Sequence, residues 1–199
     1  MKRSILGLPI LAIAVLVITS AFYKAPVKFT VDTNATTIDW LAKKVTGQHN
    51  GKVKVASGEL TLDGVNVKGG EFTIDLTAMT IEDLQGGSNE KLLGHLKSDD
   101  FFSVAKFPTA KFVLSSATPK AGKTYTVKGK LTIKGITNDI EFPADIVFSG
   151  KTMTATSTIK VDRTKFDIKY RSSNFFENLG DKAIYDDFEL KLNLVAIAK

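Results

Sequence analysis

Apolar and polar residues alternate one by one along most of this chain. Tyr125, Val127, Gly129, Leu131 and Ile133 fall on one face of an extended segment, and Thr124, Thr126, Lys128, Lys130 and Thr132 fall on the other. Phe72, Ile74, Leu76 and Ala78 repeat the pattern, as do Ile140, Phe142, Ala144, Ile146 and Phe148. Met153, Ala155, Ser157, Ile159 and Val161 follow it opposite a run of threonines, and Phe188, Leu190, Leu192, Leu194 and Ala196 close the chain with it. A period of two predicts strands with one buried and one wet face. Turn signals at Asn50-Gly51, Asp63-Gly64, Gly135 with Asn138 and Ser149-Gly150 separate the runs. Strands over 51–62, 67–78, 123–134, 137–149 and 152–162, joined by short turns, predict an antiparallel up-and-down meander of about eight or nine strands. Long strands with bare edges invite aggregation unless the sheet closes, so a single up-and-down β-barrel is expected rather than a sandwich. There is no alternation of strand and helix that would indicate a parallel sheet.

Two stretches interrupt the meander. In the first, SNEKLLGHLK reads as a short helix, with Ser88 able to cap it and Leu92, Leu93 and Leu96 at helical spacing. It runs into the connector HLKSDDFFSVAKFPTAKFVL, His95 to Leu114, which carries Phe101, Phe102, Phe107 and Phe112. A loop this apolar covers something, either as a plug over the core or as the lip of a cavity. Phe101 and Phe102 are expected to line a cavity, and Phe107 and Phe112 to anchor the connector. The second stretch, residues 163–186, is rich in Phe, Tyr, Arg and Asn. Both are expected near openings of the barrel.

The first 21 residues differ from the rest. Lys2 and Arg3 precede an uncharged apolar run, Ile5 to Ile18, followed by Thr19-Ser20-Ala21. A basic start, an apolar core and small residues predict a secretory signal peptide cleaved near Ala21. The run is short for a bilayer span of about 20 residues, so an uncleaved anchor is the second choice. Residues 22–28 read as a linker and 29–199 as one domain. Loss of Lys2 and Arg3 lowers the net charge from +6 to +4, and the lysines are scattered, so no nucleic-acid footprint is indicated. The chain has no cysteine, which excludes disulfides, thiolate metal sites and a cysteine nucleophile.

The inward faces carry no convergent acid, base or metal set. His49 and His95 are the two histidines and lack metal-ligand spacing, since a metal site needs three or four convergent ligands. His49 is expected to flank a hairpin turn at Asn50-Gly51, and His95 to orient the connector. No G-x-S-x-G elbow, P-loop or G-x-G-x-x-G is present. Neither catalysis nor a cofactor is therefore expected. Apolar inward faces with small residues at Ala42, Ala78, Gly129, Ala144, Ala155 and Ser157 fit a barrel that holds one oily ligand. Burying ten methylenes yields about 8 kcal/mol gross, roughly micromolar before association costs. A longer tail would supply most of the affinity. Basic side chains among Arg163, Lys165, Lys169 and Arg171 would then select a phosphate or carboxylate head. Trp40, the sole tryptophan, alternates with Ile38 and Ala42 and so points inward, where core packing and cavity lining are both open to it.

Five motifs in order resemble the YceI-like family of secreted bacterial proteins. They are W-x3-K-V-T-G-x-H-x-G (Trp40 to Gly51), G-G-E-F-T-I-D (Gly69 to Asp75), H-L-K-S-D-D-F-F with K-F-P-T-A-x-F (His95 to Phe112), G-x-L-T-I-K-G-I-T (Gly129 to Thr137) and V-D-R-T-K-F-D-I-K-Y-R (Val161 to Arg171). The resemblance implies an extended lipocalin-like antiparallel barrel with a hydrophobic tunnel. It also implies periplasmic or secreted binding or transport of a long-chain amphiphile, a polyisoprenoid or a fatty-acid-derived lipid. The residues expected to contact that ligand are Trp40, Phe101, Phe102, Ile133, Phe142, Arg163, Phe166 and Arg171. A homodimer through the aromatic 170–176 stretch and transient membrane contact are compatible with this reading. The alternatives are a partner-binding module with a filled core and, further off, a small hydrolase.

Overall fold

The alternating segments form nine strands, as the computed structural model of residues 25–64 and 66–199 shows. They are β1 (Val27–Val31), β2 (Thr37–Lys44), β3 (Gly47–Asp63), β4 (Asn66–Asp75), β5 (Thr109–Ala121), β6 (Thr124–Ile133), β7 (Ile136–Ser149), β8 (Thr152–Asp162) and β9 (Ile184–Ala198). All pairings are antiparallel, and β3 through β9 pair in sequence order as a meander. β1 and β2 lie end to end in one slot, each pairing with both β3 and β9. Nine strands therefore make eight staves, and the sheet closes on itself as the alternation predicts. The expected leader lies outside the described residues. Val27 and Lys28, read as linker, already belong to the first strand.

The inward positions of the strands are buried or half-buried. Tyr125, Val127, Leu131 and Ile133 of β6 are all buried, as are Met153, Ala155, Ile159 and Val161 of β8. Lysines and threonines face outward, where Lys128 pairs with Glu141 across β6 and β7 and Lys111 pairs with Glu71 across β5 and β4. Lys134 and Gly135 both take positive φ in the two-residue turn from β6 to β7, the geometry that matches the strands' twist.

Asn50-Gly51 is not a turn. β2 turns into β3 at Val45-Thr46, and Asn50 and Gly51 sit inside β3 opposite Leu41 and Trp40. The glycine is there for close approach. A Cβ on Gly51 would lie 1.9 Å from the Thr80 carbonyl oxygen, which also accepts the Trp40 indole N–H at 3.1 Å. His49 thus lies in a strand, with its Nδ1 2.7 Å from Asp83 Oδ2.

Both excursions lie at the same end of the barrel. The first leaves β4 at Asp75, where Thr77 and Ala78 donate to the Asp75 carboxylate, and it contains helix α1 (Gly86–Lys97). The helix starts at Gly86 with Gln85 at its N-cap, three residues before the expected cap, so Ser88 lies inside it and is not its cap. Asn89 fixes this first turn instead, donating to the Ile81 and Leu84 carbonyls at 3.0 and 2.9 Å. The second excursion, between β8 and β9, starts with a 3-10 turn over Arg163–Phe166 capped by the Asp162 carboxylate. Lys134, on the turn between them, donates to the carbonyls of Asp167 and Asp99 and so touches both. Among the described residues no helix is long and apolar enough to cross a membrane.

Substituting Gly51→Ala should destabilise the fold by about 3 kcal/mol, because backbone on the Thr80 side must move. Urea denaturation checks this, and an unchanged midpoint would contradict the close approach.

Candidate ligand-binding site

Closing an alternating sheet puts its apolar faces around a common interior, and here that interior is not filled. A cavity of about 140 Å³ occupies the middle of the barrel, lined without exception by apolar side chains, among them Phe72, Phe112, Leu131, Phe142, Ala155 and Ile159. A second cavity of about 120 Å³ lies beneath the excursions, lined by Trp40, Phe101, Phe102, Ile133, Phe188 and Arg163 among others. Ile38, Ile74, Leu131 and Leu190 line both, so the two chambers share a wall.

Aromatic packing shapes the chambers. In the lower one, Phe112 sits 6.0 Å from Phe72 and 5.8 Å from Phe142, ring centre to ring centre. Phe112 thus belongs to the cavity wall on β5, where the sequence had suggested only an anchor. Gly129 leaves room for it, since a Cβ there would fall 2.5 Å from the Phe112 ring. In the upper chamber Phe102 meets Phe188 edge to face at 6.3 Å. His95 binds the two excursions together. Its ring packs edge-on against Phe101 at 5.0 Å and Tyr170 at 4.7 Å, while its Nε2 lies 2.9 Å from Asp100 Oδ2. Phe107 serves as an anchor, packing against the turn at Gly135.

The structure brings Trp40, Phe101, Phe102, Ile133 and Arg163 together on the upper chamber and places Phe142 on the lower one. It does not bring Phe166 or Arg171 to either. Phe166 is buried in the core away from the cavity walls, and Arg171 is exposed, its guanidinium 5.1 Å from the Tyr170 ring. Lys165 and Lys169 are exposed as well, and Lys169 pairs with Asp167 at 2.7 Å. Leu76, Met79, Leu96, Ile168 and Ile184 line the upper chamber without having been singled out. Of these, two carried a signal: Leu76 in the alternation of Phe72, Ile74, Leu76 and Ala78, and Leu96 in the helical spacing of Leu92, Leu93 and Leu96.

Arg163 is not the solvated loop cation that its neighbours suggest. It is 4% exposed. Its Nε donates to the Tyr185 carbonyl at 3.1 Å, Nη1 to Ile168 at 2.8 Å, and Nη2 to Ile184 at 3.0 Å and to Asp186 Oδ1 at 3.2 Å. Four of its five N–H groups are thus engaged in holding the second excursion onto the start of β9. Burial pushes the guanidinium pKa below its ordinary value, against the pull of Asp186 and Asp162. Asp186 is itself fixed by Ser172 at 3.0 Å and Asn174 at 2.7 Å.

Among the described residues no group of three His, Asp or Glu side chains could hold a metal, and neither histidine ring is hydrogen-bonded to a serine hydroxyl. What the arrangement can do is enclose an apolar chain.

A family model described as the YceI-like domain matches residues 29–196. A UPF0312 protein of Shewanella denitrificans is 30% identical over 101 residues, which is 51% of this chain and 51% of that one. The chain thus spans about half the length of this curated relative. Among solved structures, Burkholderia cenocepacia BcnA superposes with a TM-score of 0.68 at 23% identity, covering 83% of this chain and 98% of its own. A domain from Saccharophagus degradans, described as polyisoprenoid-binding and implicated in plant cell wall breakdown, superposes with a TM-score of 0.64 at 11% identity, covering 86% and 98%. At these identities the structural likeness shows the fold alone.

Truncating Arg163→Ala would leave Asp186 without its cation and three carbonyls without their donor. A loss of about 3 kcal/mol is expected, as for other broken buried pairs. Thermal or urea unfolding checks this, and a near-neutral result would return Arg163 to the role of a dispensable loop charge.

Proposed function

We propose that this chain, which belongs to the YceI-like domain family, binds the apolar tail of a long-chain lipid within its barrel and carries it outside the cytoplasm. The observation that carries this reading is the lower chamber, where every lining side chain is apolar. A space of that kind in a protein interior has nothing to offer water, and a hydrocarbon chain gains from it by the area it removes from solvent. An isoprenoid or a fatty acyl chain has the right chemistry, and the Saccharophagus neighbour is named for binding polyisoprenoids. Delivery to the periplasm rests on the expected leader at residues 1–21.

The head of the ligand belongs in the upper chamber. Trp40 and the paired phenylalanines Phe101 and Phe102 give flat apolar contact there, and the Trp40 N–H is already used by Thr80. Arg163 has one remaining N–H on Nη1. It fits a single acceptor oxygen, such as that of an alcohol, amide or quinone, better than a fully charged phosphate, which would need several donors. Binding rather than bond-breaking is supported by the walls, which carry no carboxylate, histidine, serine or threonine and, besides the Trp40 indole, only Arg163 and Tyr185 as polar side chains.

Affinity should rise with chain length until the lower chamber is occupied, by up to about 0.8 kcal/mol per methylene before ordering costs. The sole tryptophan reports it. Titration of Trp40 fluorescence with isoprenoid alcohols of increasing length should give progressively tighter binding. Ala155→Phe, which fills part of the lower chamber, should abolish the gain from the longer alcohols and leave the shortest unaffected. Affinity that is the same at every length would overturn the reading.

A further inference from the structure

The two ends of the barrel are shut. At the hairpin end Leu62, Met153 and Ala196 are 1%, 2% and 0% exposed. At the other end the excursions are stitched together by His95, Phe101, Tyr170 and Lys134. A ligand must pass some wall, and the wall is not uniform. β6 pairs with β7 along its whole length, from Thr124 opposite Asp145 to Ile133 opposite Ile136. β8 and β9 pair from Thr152 opposite Ile197 to Asp162 opposite Asp187. Between β7 and β8 the ladder runs only from Ser149 opposite Thr152 to Asp145 opposite Thr156 and then stops. Residues 136–144 of β7 and 157–162 of β8 face each other without a ladder.

The cause lies in the sequence. Gly150-Lys151 is a two-residue turn, so Ser149 and Thr152 form a hydrogen-bonded pair, and every second residue back along β7 aims its backbone nitrogen at β8. That series is Val147, Asp145, Pro143. Proline has no N–H to give, and a ladder stops where it falls on an interior strand. Two side-chain hydrogen bonds replace the missing rungs. Ser157 Oγ donates to the Pro143 carbonyl at 2.6 Å, and Asn138 Nδ2 donates to the Lys165 carbonyl at 2.8 Å. Cavity-lining side chains flank the gap on both sides, Ile140 and Phe142 from β7, Ile159 and Val161 from β8. The break between β1 and β2, by contrast, is filled: Val31 lies against Gly58, and the Thr36 hydroxyl is joined to Val195.

We propose that the β7–β8 seam is a lateral portal through which the apolar chain of the ligand enters and leaves the barrel. The inference rests on the lipid-carrier reading and adds the route. Parting the seam breaks two side-chain hydrogen bonds and no backbone rung, whereas parting β6 from β7 or β8 from β9 breaks an uninterrupted ladder. On the cavity side the parted edges present only apolar side chains, so a hydrocarbon tail that has passed the outer Glu141 and Lys160 meets no further charge.

The seam can be locked from outside. Continuing the register from Asp145 and Thr156 places Glu141 opposite Lys160, both exposed. The chain has no cysteine, so a Glu141→Cys, Lys160→Cys double variant reacts only at the seam. The folded double variant is bridged with a short bis-methanethiosulfonate, and uptake of all-trans-retinol, an isoprenoid alcohol, is followed by energy transfer from Trp40 in stopped flow. Bridging should slow uptake by about tenfold or more, as expected when a needed opening is blocked, and dithiothreitol should restore it. The same bridge on Thr158→Cys, Lys191→Cys, a complete rung of β8 and β9, should leave the rate unchanged. Pro143→Val, which returns the missing N–H, should also slow uptake without lowering equilibrium affinity. Unchanged rates in both the bridged seam and Pro143→Val, with retinol still bound, would overturn the portal and leave the carrier intact. Retinol that fails to bind the unmodified protein would overturn the carrier reading, and the portal with it.

Discussion

Closure of the sheet is the constraint on which everything else depends. An open eight-stave sheet with this much outward threonine and lysine and inward leucine and phenylalanine would present two bare edges and one exposed oily face. The chain closes it by laying β1 and β2 end to end in a single slot between β3 and β9. The joint at Asp32–Thr36 is secured locally, since the Asp32 carboxylate accepts from Asn34 and Ala35, and the Thr36 hydroxyl both accepts from and donates to Val195. Once closed, the alternation that makes each strand amphipathic creates an interior, and side-chain size decides whether that interior is full. Ala144 and Ala155 keep it from being full.

A barrel with an apolar hollow needs its ends managed, and this chain manages one end with tight hairpins and the other with two long excursions. The excursions are held by polar groups that never reach solvent as ordinary loop residues would. Arg163 gathers three carbonyls and a carboxylate, Trp40 gives its N–H to Thr80, and Gly51 makes space for that contact. The same groups that seal the cap therefore shape the upper chamber. Ligand chemistry follows: a long apolar reach below, and above it a wall with one arginine whose hydrogen bonds are nearly all taken.

Much of this was legible in the sequence, because period-two alternation is a direct record of which side chains face inward. Residues 124–133 and 152–161 show it most plainly, and the connector's phenylalanines marked the covered end. The misreadings share one cause, that local signals were given local meanings. Asn50-Gly51 looked like a turn because glycine favours turns, but Gly51 answers to Thr80, twenty-nine residues on. Ser88 looked like a cap because serine caps helices, but Asn89 does the tying. Arg163 and Arg171 looked alike, and the fold buries one and exposes the other. Pro143 sits in a run that reads as a central strand, and its consequence, an interrupted ladder, emerges only when the parity of the β7–β8 turn is known.

The central claim is that the cavity is made to be occupied by a lipid tail. The most direct measurement is native mass spectrometry of the protein, purified gently from cells that produce it, beside a denatured spectrum of the same sample. The account predicts an added mass of several hundred daltons that disappears on denaturation and extracts into organic solvent as a long-chain isoprenoid or acyl lipid. An identical protein mass in both spectra, together with no uptake of added isoprenoid alcohols, would contradict it.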